Sequence, residues 1–140
     1  MAKIETIWLG GQRSEATHTQ SETKLLTDAP VDNNGRGEYF SPTDLVATAL
    51  GSCIITMMDA YAVRHGIDLK GTRLVTEKIM AANPRRIGEI KIELFIPGKI
   101  DPKHQKVLIN AAHACPVGKS LHPDLNQNII FHFEEIETES

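Results

Sequence analysis

The sequence predicts an α+β fold, and three observations carry the prediction. Segments of period-two hydrophobicity fill residues 3–28 and recur between 67 and 96. Between them runs one long apolar helical pattern, from Ser41 to about His65. After Asp101 a proline-started helical pattern leads into a last alternating segment. The order is β-β-β-α-β-β-α-α-β, with strands in antiparallel-type groups around one central helix, over a single domain spanning residues 1–140. Aromatic residues make up only 5% of the chain, so its core must rest on Ile, Leu, Val, Ala and Met.

Residues 3–9, KIETIWL, alternate Ile4, Thr6 and Trp8 against Lys3, Glu5 and Ile7, which predicts a strand ended by Gly10-Gly11. Two further strands are predicted over about 12–19 and 22–28, with a hairpin near Gln20–Glu22. The stretch VDNNGRGEYF, 31–40, reads as a loop. Ser41 then suits an N-cap, Pro42 the first helical position and Asp44 the positive end of the helix dipole. Gly66 supplies the left-handed C-cap. No charged residue falls between Leu45 and Met58, so this helix is expected to be buried on every side.

Residues 67–82 are predicted as a strand broken by Pro84, with Arg85 and Arg86 in the turn. Residues 87–96 show the cleanest alternation, Ile90, Ile92, Leu94 and Ile96 against Glu89, Lys91, Glu93 and Phe95. A second helix is expected from Asp101 to about Ala114, with Val107, Leu108, Ala111 and Ala112 on its apolar face. A short helix over about 116–121 and a strand over about 128–136 complete the chain.

A net charge of −3 without a basic block argues against nucleic acid as a partner. The N-terminus shows no secretory signal, and the 14-residue run from Leu45 to Met58 falls short of the roughly 20 residues of a membrane span. A cytoplasmic protein without a membrane partner is expected, and there two cysteines pair, if at all, transiently and catalytically.

Those two cysteines, Cys53 and Cys115, have different settings. Cys53 lies mid-helix beside Gly51 and Ser52, and a glycine there costs about 1 kcal/mol relative to alanine. Either a tight helix–helix crossing with Cys53 as a small buried hydrophobe, or close approach of a ligand, would offset that. Cys115 precedes Pro116 in an N-cap position, where the N–H groups of Val117 and Gly118 can meet a thiolate. As a nucleophile Cys53 needs a cation from elsewhere: Arg13, Arg36, Arg64 or a histidine, although Arg64 lies about three turns down the same helix. His113, Cys115 and His122 are metal-ligand types, but positions i and i+2 point to different helix faces and no metal is expected.

SPTDLVATALGSC (41–53) followed by ACPVGKSLHPD (114–124) resembles the superfamily of osmotically inducible protein C and organic hydroperoxide resistance proteins, OsmC/Ohr. The resemblance implies an intertwined homodimer whose central helices cross inside wrapping antiparallel sheets. It also implies thiol peroxidase chemistry on organic hydroperoxides. Cys53 matches the peroxidatic cysteine and Cys115 the resolving one. Arg13, in GGQRSEATH, matches the arginine that supports the thiolate, with Arg36 as fallback. Thr43 stands where many members carry the glutamate that holds this arginine, which leaves Asp44 or Glu38 to substitute. Met57 and Met58 would line an adaptable apolar wall for the substrate. A dithiol, either a lipoylated protein or a small thiol, would reduce the disulfide, and no cofactor is implied. A second reading is a protein of the same fold that senses redox state or binds an apolar small molecule with little turnover.

Overall fold

A computed structural model describes residues 3–134. The chain forms two compact units that divide between Val46 and Ala47, inside the long helix. The first unit holds an antiparallel meander of β1 (Ile4–Gly10), β2 (Arg13–His18) and β3 (Thr23–Asp28). Its register sets Trp8 opposite Ser14 and Arg13 opposite Asp28. The expected loop contains one 3₁₀ turn, Val31–Asn33.

Helix α1 spans Pro42–Arg64. At its start the Ser41 N–H donates to the Asp44 carboxylate at 3.0 Å, and the Asp44 N–H donates to Ser41 Oγ at 3.0 Å, a reciprocal capping box. At its end the Ile67 N–H reaches the Ala62 carbonyl at 2.9 Å around Gly66, whose φ of +67° a side chain would oppose.

The second unit sets most of α1 beside a sheet of β4 (Arg73–Ala81), β5 (Arg86–Ile96) and β6 (Asn126–Phe133). The alternation of β5 holds: Ile90, Ile92 and Leu94 are wholly buried and Ile96 nearly so. Helices α2 (Pro102–Ala112) and α3 (Pro116–Ser120) connect β5 to β6. Asp101 caps α2 by accepting from the Lys103 N–H at 2.8 Å. Leu108 and Ala112 anchor α2 in the core, while Val107 is exposed.

Three expectations need correction. The sheets are not wholly antiparallel: β5 and β6 pair in parallel. The two helices between them form the crossover that a parallel pair requires. The strand expected from residue 67 begins only at Arg73. Before it, Asp68 accepts from the Lys70 N–H at 2.9 Å, Thr72 turns back onto the Leu69 carbonyl, and Gly71 takes φ +91°. These local bonds compete with a ladder. The last strand ends at Phe133, and the expected residues 135–136 lie outside the described ones.

Within the single chain helix α1 is buried along one face. Ala47, Leu50, Gly51, Ile54, Met58 and Ala62 form one buried stripe, while Thr48, Ala49, Ser52, Thr56 and Val63 are exposed in the single chain. The Thr56 hydroxyl is satisfied by the Ser52 carbonyl at 2.7 Å. An exposed position filled by such small residues looks the same in sequence as a buried one. By length and composition alone this 23-residue helix reaches the size of a membrane span, because its apolar character continues past Met58. Its buried stripe makes it a core helix of this chain.

Gly51 faces the sheet, not a crossing helix. A Cβ added there would lie 3.3 Å from Leu74 Cδ2, 3.6 Å from Thr76 Oγ1 and 3.8 Å from Ile92 Cδ1. Gly51→Ala is expected to be near neutral, since Leu74 yields at its flexible end while the helix gains propensity. Gly51→Leu overpacks the same space and should destabilise by about 1–3 kcal/mol in urea unfolding. Equal stability of the two variants would show that the sheet does not press on this position.

Candidate active site

Cys53 and Cys115 are both free thiols, the first half-buried on α1 and the second 2% exposed. The fold brings them together. Cys53 neighbours Cys115 closely enough to influence its ionisation. Leu50, one turn before Cys53 on the same face, points the same way, since a Cβ on Gly118 would meet its Cδ1 at 3.5 Å. Cys115 is the N-cap of α3, where its Sγ accepts the Gly118 N–H at 3.2 Å. Burial pushes the Cys115 thiol up from its ordinary pKa, and the neighbouring Cys53 adds to this. The Gly118 and Val117 N–H groups oppose the shift without overcoming it. The pair is therefore an accessible thiol next to a sheltered one.

Met57 stands one turn beyond Cys53 and is half-buried, so it has surface to offer an apolar ligand. Met58 is wholly buried and serves as core. His113 is exposed with its ring edge toward Phe131, and His122 accepts the Asp124 N–H at 3.0 Å. Among the described residues no three His, Cys, Asp or Glu side chains converge as metal ligands.

The first unit presents a separate charged cluster. Arg13 Nε donates to Asp28 Oδ1 at 2.7 Å and Nη2 to Oδ2 at 2.9 Å, a bidentate pair, and Nη2 also reaches Glu38 Oε2 at 3.1 Å. The Arg13 guanidinium lies 4.7 Å from the Tyr39 ring centroid. The Asp28 carboxylate is wholly buried and accepts the Glu38 N–H at 3.1 Å as well. The hydrogen bonds from Arg13 hold its pKa below the ordinary value, and Asp28 in turn raises that of Arg13. Arg13 is held chiefly by Asp28, with Glu38 second. Asp44 is engaged in the α1 capping box. Arg36 lies against the β1–β2 turn, its Nη2 2.6 Å from where a Cβ on Gly11 would sit.

Sequence reasoning missed Asp28. The signal was available in register: a strand over 22–28 paired with one over 12–19 sets Asp28 opposite Arg13.

The family model for OsmC-like proteins matches residues 35–129, which hold both cysteines and the whole of α1. The chain belongs to the OsmC-like family. A Psychrobacter arcticus 273-4 protein, provisionally described as an osmotic stress induced and detoxification response protein, is similar at 45% identity and TM-score 0.91, over 94% of this chain and 96% of that one. An organic hydroperoxide resistance protein OsmC from Legionella pneumophila shares the fold at 18% identity and TM-score 0.75, over 94% and 96% of the two chains. One from Elizabethkingia anophelis does so at 16% identity and TM-score 0.74, over 96% and 98%. Among curated proteins nothing matches the chain.

Proposed function

We propose that this OsmC-like protein is a cysteine-based peroxidase that reduces organic hydroperoxides. The single observation that carries the reading is that a half-buried and a buried thiol from distant parts of the chain are neighbours. The Cys53 thiolate attacks the terminal oxygen of the hydroperoxide, the O–O bond breaks, and the alkoxide leaves and takes a proton as alcohol. Cys53 is then a sulfenic acid. Cys115 sulfur attacks Cys53 sulfur, the S–O bond breaks, and water leaves with the Cys115 proton. A dithiol reductant, a lipoylated protein or a small thiol, returns both thiols and becomes a disulfide itself.

Arg13 is the proposed cation for Cys53, as the family resemblance implies. Asp28 and Glu38 orient its guanidinium, and Met57 is the proposed apolar wall. We also propose a homodimer acting in the reducing cytoplasm. The exposed small-residue face of α1 supports the dimer, as do exposed Ile4, Ile7 and Trp8 on β1, the last 62% accessible.

Intact mass after one equivalent of cumene hydroperoxide tests the reading. A loss of about 2 Da, reversed by dithiol, is the expected signature of disulfide formation. No mass change would refute it.

A further inference from the structure

Gln127 breaks the pattern of its own strand. The inward face of β6 carries Gln127, Ile129, Phe131 and Phe133, which pair in register with Ile90, Ile92, Leu94 and Ile96 on the buried face of β5. Three of these four β6 positions are apolar, and the fourth is an amide opposite the wholly buried Ile90. An amide turned toward a core must find partners there. Gln127 Nε2 donates to the Gly118 carbonyl at 2.9 Å. The same Gly118 gives its N–H to Cys115 Sγ at 3.2 Å. A Cβ on Gly118 would stand 2.9 Å from Gln127 Oε1 and 3.2 Å from Cys115 Sγ, so the residue is wedged between amide and sulfur.

We infer that Gln127 is a positioning residue for Cys115: through the Gly118 carbonyl it clamps the first turn of α3 and keeps the Gly118 N–H aimed at the sulfur. A hydrogen bond from an N–H to sulfur favours thiolate over thiol. In a site whose burial favours the thiol, that donor, with the Val117 N–H as the lesser one, governs how much thiolate exists.

The consequence for turnover rests on the peroxidase reading. Cys115 carries negative charge twice in that cycle. It attacks the Cys53 sulfenic acid as thiolate, forming the S–S bond while the departing hydroxide takes up a proton as water. Later a reductant thiolate attacks Cys53 sulfur, and the S–S electron pair leaves on Cys115, which is then protonated. A slack Gly118 slows both steps and leaves the attack on peroxide untouched.

Two variants test the inference. Gln127→Glu keeps the shape but, when ionised, cannot donate to the Gly118 carbonyl, and Gln127→Met removes the donor without adding charge. In a Cys53→Ser background Cys115 is the remaining cysteine, and ultraviolet absorbance of its thiolate gives a titration that does not depend on access. For both variants we expect the midpoint to rise so that thiolate near neutral pH falls about tenfold. With Cys53 present, single-turnover mass spectrometry should show sulfenic acid forming at the parent rate and disulfide forming about tenfold more slowly. Folded variants with an unchanged midpoint would overturn the inference. If the midpoint moves but peroxide oxidises neither sulfur, the inference stands and the peroxidase reading fails.

Discussion

Cys53→Ser is expected to remove hydroperoxide consumption almost entirely, a fall of more than about a thousandfold against the parent protein. A serine hydroxyl is scarcely ionised near neutral pH, whereas a supported thiolate is, and the thiolate attacks the O–O bond. The substitution deletes no hydrogen bond on which the fold depends, so the thermal midpoint should scarcely move. Cys115→Ser should behave differently. It leaves the first attack intact, and the first equivalent of cumene hydroperoxide is still consumed. The Cys53 sulfenic acid then persists, labels with dimedone, and with excess peroxide advances to the sulfinic acid. Residual peroxide followed over minutes, with the masses of the protein products, distinguishes the two variants. Full activity in Cys53→Ser would move the reaction away from this pair, and equal loss in both without a trapped sulfenic acid would remove Cys115 from the resolving role.

The N-cap setting of Cys115 was legible in sequence because it depends on local signals, whereas its pairing with Cys53 came only as what the family resemblance implies. Cys115 followed by Pro116 announces an N-cap, and the structure supplies the Gly118 N–H expected there. The boundaries of α1 followed from Ser41, Pro42 and Gly66 for the same reason. What escaped depends on contacts between distant strands. Asp28 reads as the polar end of a strand until its partner is fixed, and Gln127 reads as one polar residue among Asn126 and Asn128. Parallel pairing of β5 with β6 escaped as well, because alternation records which face is buried and not strand direction. The exposed face of α1 is hidden by composition: alanine, serine and threonine serve equally at a core position and at a surface one.

The second large effect is expected at Asp28. Its side chain is wholly buried and holds a guanidinium that is itself only 16% exposed, with the exposed Glu38 as the other carboxylate on that group. Asp28→Ala takes away both strong bonds and leaves the charge of Arg13 partly buried against a weaker partner, the case in which breaking an ion pair does most harm. It should lower the thermal midpoint clearly and, if Arg13 serves the Cys53 thiolate, reduce peroxide turnover by about a hundredfold through misplacement of the guanidinium. Asp28→Asn separates the two effects, because it keeps the shape and one acceptor oxygen while losing the charge. Acid dependence gives a further handle. The folded pKa of Asp28 lies below its ordinary 3.8, so its contribution is complete above that value and is lost as pH falls through the folded one. The parent protein should therefore lose stability below about pH 4 more steeply than Asp28→Asn, whose amide does not titrate. Unfolding midpoints in urea at a series of pH values measure the difference. Parallel acid profiles for the two proteins would mean that the Arg13–Asp28 pair contributes little to the folded state. Retained activity in Asp28→Ala would free the Cys53 thiolate from any dependence on this arginine's placement.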